Sequence, residues 1–254
     1  MLFVNHMMLL VSMTMWAAVW RREKIEEAID HDPDQVPYAS DLPHKETMNA
    51  VYRHMKYVYD ATRIFFLPGR RAIQRNLPID AATRVLEVGC GTGYNLRKLA
   101  KRHPECKFLG LDISSEMVSL ARFQMDKCRL SDRVSIVEGD AADLDWNSLG
   151  APFDCIVFSY SLSMIPLWRD ALEQAFSALG DAGELWIVDF GDFRFFPTPV
   201  RRFLFGQYAR MMHVHPRTTL HHTVHRMAER REMNAECWVF WWRYAQLLRV
   251  KKSD

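Results

Sequence analysis

Short apolar runs alternate with helix-period stretches through the middle of the chain, and this alternation predicts a layered α/β fold. Val85 to Val88 reads as a strand and Asn95 to His103 as a helix. Lys107 to Leu111 is the next strand, ending at Asp112, and Ser114 to Leu130 the next helix, with Ser114 or Ser115 as its cap. Arg133 to Glu138 and Phe153 to Tyr160 are two further strands, the second nearly all apolar, as a strand covered on both faces should be. Ala142 to Pro152 between them is a loop or short helix. A helix over Asp170 to Leu179, a turn at Gly180 to Gly183 and a strand over Glu184 to Phe190 complete the series. Ala235 to Lys251 reads as two strands around a bend near Arg243 and Tyr244.

The margins lack this alternation. Met1 to Trp20 has no charged residue and about the length of a membrane span, roughly 20 residues. Arg21, Arg22 and Lys24 follow it, which favours a cytosolic remainder. Residues 21–47 read as a linker, three prolines falling between His31 and Thr47. Met48 to Arg71 places Val51, Met55, Val58, Tyr59 and Thr62 near one helical face, stopped by Pro68 and Gly69. Residues 48–80 are thus expected to be a helical lid on a domain spanning 48–254.

Chemistry enters at V-L-E-V-G-C-G-T-G-Y-N, Val85 to Asn95. A strand that ends in glycines and opens a helix lets backbone approach a ligand where a Cβ would collide. The spacing of Gly89, Gly91 and Gly93 is G-x-G-x-G, not the dinucleotide G-x-G-x-x-G. Glu87 would welcome an ammonium group and repel a diphosphate. Asp112, at the next strand end, can take both hydroxyls of a ribose. Asp140 and Ala141, after the third strand, suit an adenine edge. Acids at three successive strand ends, without a P-loop lysine, describe an adenosine ligand lacking phosphates.

From about Ala81 to Phe190 the chain resembles the class I S-adenosylmethionine-dependent methyltransferases. The resemblance implies a doubly wound, seven-stranded, mostly parallel Rossmann-like sheet with an antiparallel terminal strand, and S-adenosyl-L-methionine as cofactor. The residues expected to hold it are Glu87, Gly89, Gly91, Gly93, Asp112, Ile113, Asp140, Ala141 and Ser159. Y-R-H-x-x-Y-x-Y-D-x-T-R-x-x-x-L-x-G-R from Tyr52 and S-Y-x-L-S-M-I-P-x-W from Ser159 narrow the likeness, as does V-D-F-G at 188–191. They resemble the N-methyltransferases that complete betaine-lipid headgroups from diacylglyceryl-homoserine. That likeness implies stepwise methylation of a lipid amine. It makes Tyr160, His213 and Tyr59 the candidate catalytic residues, with Tyr160 or His213 as base. Asp60 and Arg63 become candidate substrate contacts, and Tyr160, Trp168, Phe190 and Tyr59 an aromatic wall for the nitrogen. Rival readings are another membrane acceptor (a quinone ring carbon or the amine of phosphatidylethanolamine) and a SAM-binding regulator without turnover.

Composition adds bounds. A net charge of +2 over 254 residues does not argue for nucleic acid, and no nucleic-acid module is present. Five cysteines without C-x-x-C spacing read as reduced thiols in a cytosolic protein. Phe193 to Arg231 holds eight arginines against one acid, interleaved at first with aromatics. Such a segment, within a 193–235 insertion, suits either an anionic membrane surface at the inner face of the membrane or an amphipathic helix docked on the sheet. His213, His215, His221, His222 and His225 cluster without carboxylate or thiolate neighbours, so no metal is expected. Nothing signals an oligomeric state.

Overall fold

The computed structural model describes residues 21–22, 45–46, 48–49, 67–80, 83–203 and 214–253. Residues 1–20 and the candidate site residues Tyr59, Asp60, Arg63 and His213 lie outside the described residues. Eight strands form one sheet: β1 (Arg21–Arg22), β2 (Arg84–Val88), β3 (Lys107–Asp112), β4 (Val134–Glu138), β5 (Phe153–Ser159), β6 (Leu179–Phe190), β7 (Met233–Phe240) and β8 (Ala245–Lys252). Their order is β1-β7-β8-β6-β5-β2-β3-β4. β2 to β6 pair in parallel. β8 runs antiparallel between β6 and β7. The seven-stranded mixed sheet with an antiparallel C-terminal strand is therefore present. Chain order reverses between β2 and β5, and that switch point opens a crevice at the carboxyl ends of these strands.

Two expectations need correction. Within the presumed linker, Arg21 and Arg22 pair with Val239 and Trp238 and add an eighth strand at the edge. Gly180 to Gly183 is not a turn ahead of β6 but lies inside it. The register jumps from Phe153↔Leu179 to Cys155↔Glu184, so these residues are absorbed as a bulge. A Cβ on Gly183 would stand 2.9 Å from the Phe153 carbonyl oxygen, which is why the bulge closes on glycine.

The described helices are α1 (Arg70–Asn76), α2 (Tyr94–Arg102), α3 (Ser115–Lys127), α4 (Trp168–Ser177), α5 (Thr198–Phe203) and α6 (Leu220–Glu229). Successive strand residues point to opposite faces. Val85, Cys155 and Val157 join Leu96, Leu99, Met117 and Met125 of α2 and α3 in one core. Leu86, Ile156 and Phe158 join Leu172, Val224 and Met227 of α4 and α6 in the other. Fully burying a Leu side chain contributes about 1.5–3 kcal/mol, so each core holds its helices firmly beside the crevice. Ser114 caps α3, its hydroxyl accepting from the Met117 N–H, as expected. Pro68 and Gly69 precede a helix here: Gly69 is the N-cap of α1. Among the described residues no helix is long and apolar enough to cross a membrane.

Candidate functional site

The glycine loop leaves β2 at Val88 and turns immediately. Gly89 has φ +69°, and a Cβ there would stand 2.4 Å from the Ser161 Cβ, so only glycine fits. The Gly89 and Cys90 N–H groups donate to the Leu111 carbonyl at 2.7 and 3.0 Å, tying the loop to β3. Asp112 at the end of β3 is held from both sides. One oxygen accepts from the Gly91 N–H at 2.8 Å and the other from the Ser114 N–H at 2.9 Å. A carboxylate accepts up to about four hydrogen bonds, so two backbone anchors are compatible with a pair of ribose hydroxyls. Asp140 is oriented by the Ala142 N–H at 2.9 Å, and the Gly139 N–H donates to the Asp112 carbonyl at 3.0 Å.

These residues surround a cleft that is open to solvent at its mouth. Of the expected cofactor residues, Gly89, Gly91, Asp112, Ile113, Asp140, Ala141 and Ser159 line it. Glu87 and Gly93 do not. Gly93 serves instead as the N-cap of α2. Glu87 is buried on β2, with Oε1 accepting from Asn95 Nδ2 at 2.6 Å. Asn95 in turn accepts from Gln74 of α1 at 2.8 Å. Glu87 Oε2 has no hydrogen-bond partner among the described residues. Burial raises the carboxyl to about 7, against the opposing hydrogen bond from Asn95. A loop that must remain glycine at Gly89 and a fixed carboxylate at Asp112, both lining the cleft, fit a nucleoside donor. Met48, Arg70, Cys90, Thr92 and Met164 also line the cleft.

The far wall follows β5. Tyr160 takes a left-handed conformation with φ 58°, a strained state for a bulky side chain. Its N–H donates to the Val188 carbonyl at 2.7 Å, and its hydroxyl donates to the Pro68 carbonyl. Tyr160 lines the cleft, but burial pushes its phenol well above the ordinary range. It therefore keeps its proton at neutral pH. Of the three other expected wall residues, Tyr59 lies outside the described residues and two sit elsewhere. Phe190 backs Tyr160 from outside the lining, ring centroids 4.9 Å apart. Trp168 opens α4 inside the second core, with the Arg169 guanidinium 4.2 Å over its ring. Ser161, Met164 and Ile165 reach the cleft in their place.

Three chain-distant groups brace this 161–165 segment. Buried Asp189 accepts from the Ser163 N–H at 3.0 Å. The His215 N–H donates to the Ser163 carbonyl at 2.7 Å. Arg217, also buried, donates to the Leu162 and Ile165 carbonyls at 3.2 and 2.7 Å. Burial lifts Asp189 to about 6, opposed by its hydrogen bonds and by Arg217.

The arginine-rich segment is divided in the fold. Phe193 is buried, Arg217 is a brace, and Arg231 pairs with Glu173. α6 packs Leu220, Val224, Met227 and Ala228 into the second core, in keeping with the reading of an amphipathic helix docked on the sheet. The rings of His221 and His222 lie 3.9 Å apart, and burial followed by the neighbouring His222 lowers His221 to about 4. Among the described residues no cluster of three or more His, Cys, Asp or Glu could hold a metal ion.

A glycine-lined cleft at the switch point of this sheet, with fixed acids at the β3 and β4 ends, defines a class I S-adenosylmethionine-dependent methyltransferase domain. The model of a methyltransferase-domain family matches residues 79–249, and the chain belongs to that family. It is 31% identical over 108 residues to a malonyl-[acyl-carrier protein] O-methyltransferase of Priestia megaterium, covering 42% of this chain and 37% of that protein. A demethylmenaquinone methyltransferase of Porphyromonas gingivalis is 24% identical over 164 residues, 62% of this chain and 66% of that one. The chain thus spans between about a third and two thirds of the length of these curated relatives. Among solved structures, phosphoethanolamine N-methyltransferase 2 of Haemonchus contortus, bound to phosphomonomethylethanolamine and S-adenosylhomocysteine, shares the fold. Its TM-score is 0.67 at 15% identity, covering 84% of this chain and 61% of that one.

Proposed function

We propose that this protein is an N-methyltransferase that methylates the amine of diacylglyceryl-homoserine stepwise to the trimethylated betaine lipid. The observation that carries this reading is the Ser159–Trp168 stretch, which resembles the betaine-lipid enzymes. It contributes Ser159, Tyr160, Ser161, Met164 and Ile165 to the cleft wall. When bound, S-adenosylmethionine supplies an electrophilic methyl group on its sulfonium sulfur. Asp112 is the group at the cleft that would hold its ribose.

The chain's own contribution is to position the amine and exclude water, which can supply roughly 7–11 kcal/mol. The amine must be neutral to attack. Among the described lining residues, Cys90 and Tyr160 are pushed upward by burial and hold their protons. Asp112 and Asp140 accept backbone hydrogen bonds. Desolvation against an apolar wall disfavours the charged amine and so favours the form that attacks. As methyls accumulate the nitrogen becomes permanently cationic, and the Tyr160 ring face can hold it by about 0.5–2 kcal/mol. A lipid acceptor also places the enzyme at the cytosolic face of a membrane.

A second reading, methylation of a quinone ring carbon, is favoured by the named activity of the Porphyromonas gingivalis relative. Incubation with labelled donor and homoserine lipid, phosphatidylethanolamine or demethylmenaquinone separates these acceptors. Label in the homoserine lipid, adding up to three methyls, is expected. Label in the quinone alone overturns the proposal.

A further inference from the structure

The β7–β8 turn is strained in a way that the methyl-donor cleft does not require. Trp241, Trp242 and Arg243 are three successive left-handed residues, with φ of 50°, 52° and 67° and no glycine among them. Such conformations persist only where the surroundings over-determine them. Here they do. The Gly191 N–H donates to the Tyr244 carbonyl at 2.8 Å and the Phe193 N–H to the Arg243 carbonyl at 3.1 Å. Arg243 Nε donates to Asp192 Oδ1 at 2.8 Å. A Cβ on Gly191 would stand 2.0 Å from the Arg243 carbonyl oxygen, so the contact itself demands glycine. All this bracing holds Trp242 in water, 69% exposed.

The tip does not stand alone. Trp242 meets Phe196 with ring centroids 5.7 Å apart. Phe196 meets Phe193 at 5.9 Å, Phe193 meets Phe190 at 6.3 Å, and Phe190 meets the cleft residue Tyr160 at 4.9 Å. An aromatic ladder therefore runs from the cleft wall to the exposed tryptophan. Phe195, beside Phe196 in the chain, is 62% exposed under the Arg194 guanidinium, 5.4 Å from its ring. Arg201 and Arg202 on α5 are exposed as well. Residues 193–203 contain no acid, and neighbouring Asp192 is paired with Arg243.

We propose that the 241–244 turn and residues 193–203 form a docking face for an anionic bilayer, with Trp242 entering the interface and Arg194, Arg201 and Arg202 meeting lipid phosphates. Exposed rings with unopposed arginines suit a wet, negatively charged surface that is apolar beneath. The ladder places that surface next to the wall where a lipid headgroup would be methylated. The docking face deepens the lipid-acceptor reading and rests on it only for the identity of the acceptor.

The test uses the full chain with vesicles of neutral phosphatidylcholine, alone or mixed with anionic phosphatidylglycerol. Because Met1 to Trp20 is itself apolar, each variant is compared with wild type in the same full-length background. Lipids brominated on their acyl chains should quench wild-type tryptophan fluorescence more than that of Trp242→Phe. The double variant Arg201→Ala/Arg202→Ala should lose about fivefold in partition to anionic vesicles for each arginine removed, with little change on neutral ones. Both variants should bind S-adenosylhomocysteine as wild type does, which certifies the fold. Equal quenching with and without Trp242, or an unchanged partition of the arginine variant, overturns the docking face. So does self-association that Trp242→Ala abolishes while vesicle binding stays intact, which would give the face to a second copy of the chain. Intact vesicle binding without methylation of homoserine lipid would sink the acceptor and leave the docking face standing.

Discussion

Replacing Glu87 with Gln should change how stability depends on pH, and the direction is fixed by burial. Glu87 titrates at about 7 in the folded chain against 4.5 for an ordinary glutamate. Between these values the folded state holds a proton that the unfolded state has lost. Stability contributed by the protonated form is therefore present below pH 4.5 and is lost as pH rises towards 7. At about 1.4 kcal/mol per unit, the loss sums to about 3 kcal/mol. Two other groups titrate nearby. Asp189, raised to about 6, acts in the same direction over a lower window. His221, lowered to about 4, acts in the opposite direction, its contribution being lost as pH falls below 6.5. Denaturant titrations of wild type and Glu87→Gln from pH 5 to 8 cancel both. The difference in unfolding free energy between the two proteins should shift in favour of the variant up to pH 7 and then level off. Its absolute offset carries the cost of the new amide and is not the test. Parallel curves between pH 5 and 7 would refute the buried, protonated Glu87.

Three further substitutions test the frame around the cleft. Gly89→Ala forces a left-handed alanine against Ser161 and should cost about 1–3 kcal/mol, with binding of S-adenosylhomocysteine lost in calorimetry while the thermal transition remains cooperative. Arg217→Lys gives up the paired contacts to the Leu162 and Ile165 carbonyls. It should cost about 1.5–3 kcal/mol, visible as faster amide exchange across residues 161–165. Gly191→Ala drives a methyl group into the Arg243 carbonyl and should destabilise by about 1–3 kcal/mol or more, read as a lower denaturant midpoint with a displaced Trp242 emission.

The donor half of the site was legible because its contacts are local. Gly91 reaches Asp112 across 21 residues, between adjacent strands whose apolar runs and glycine breaks are unmistakable. The acceptor half was not. Arg217 contacts carbonyls 52 and 55 residues away, and no spacing announces such a brace. Trp168 was expected in the wall because it closes a distinctive motif. It lies instead at the start of α4, where helical phase turns it into the core. Glu87 was read as exposed to a ligand, although strand alternation alone does not tell a lining residue from one buried behind it. Two-residue β1 carries no periodicity at all. A docked amphipathic helix was one of two readings of the arginine-rich segment, and the apolar face of Leu220, Val224, Met227 and Ala228 in α6 agrees with it.

This division also bears on how one scaffold serves many acceptors. Donor-side contacts join β2, β3 and the loop between them, so they survive wherever that unit folds. The wall at 161–165 is held by Asp189 from the end of β6 and by His215 and Arg217 from the chain before α6. A change in those later segments can move the wall while the backbone bonds that tie the glycine loop to β3 stay in place. Relatives named for a carrier-bound malonyl group and a quinone, and a structural neighbour named for phosphoethanolamine, fit such an arrangement. Acceptor choice in this chain should accordingly reside in residues 159–165 and in their braces Asp189, His215 and Arg217, and not in the nucleoside cradle.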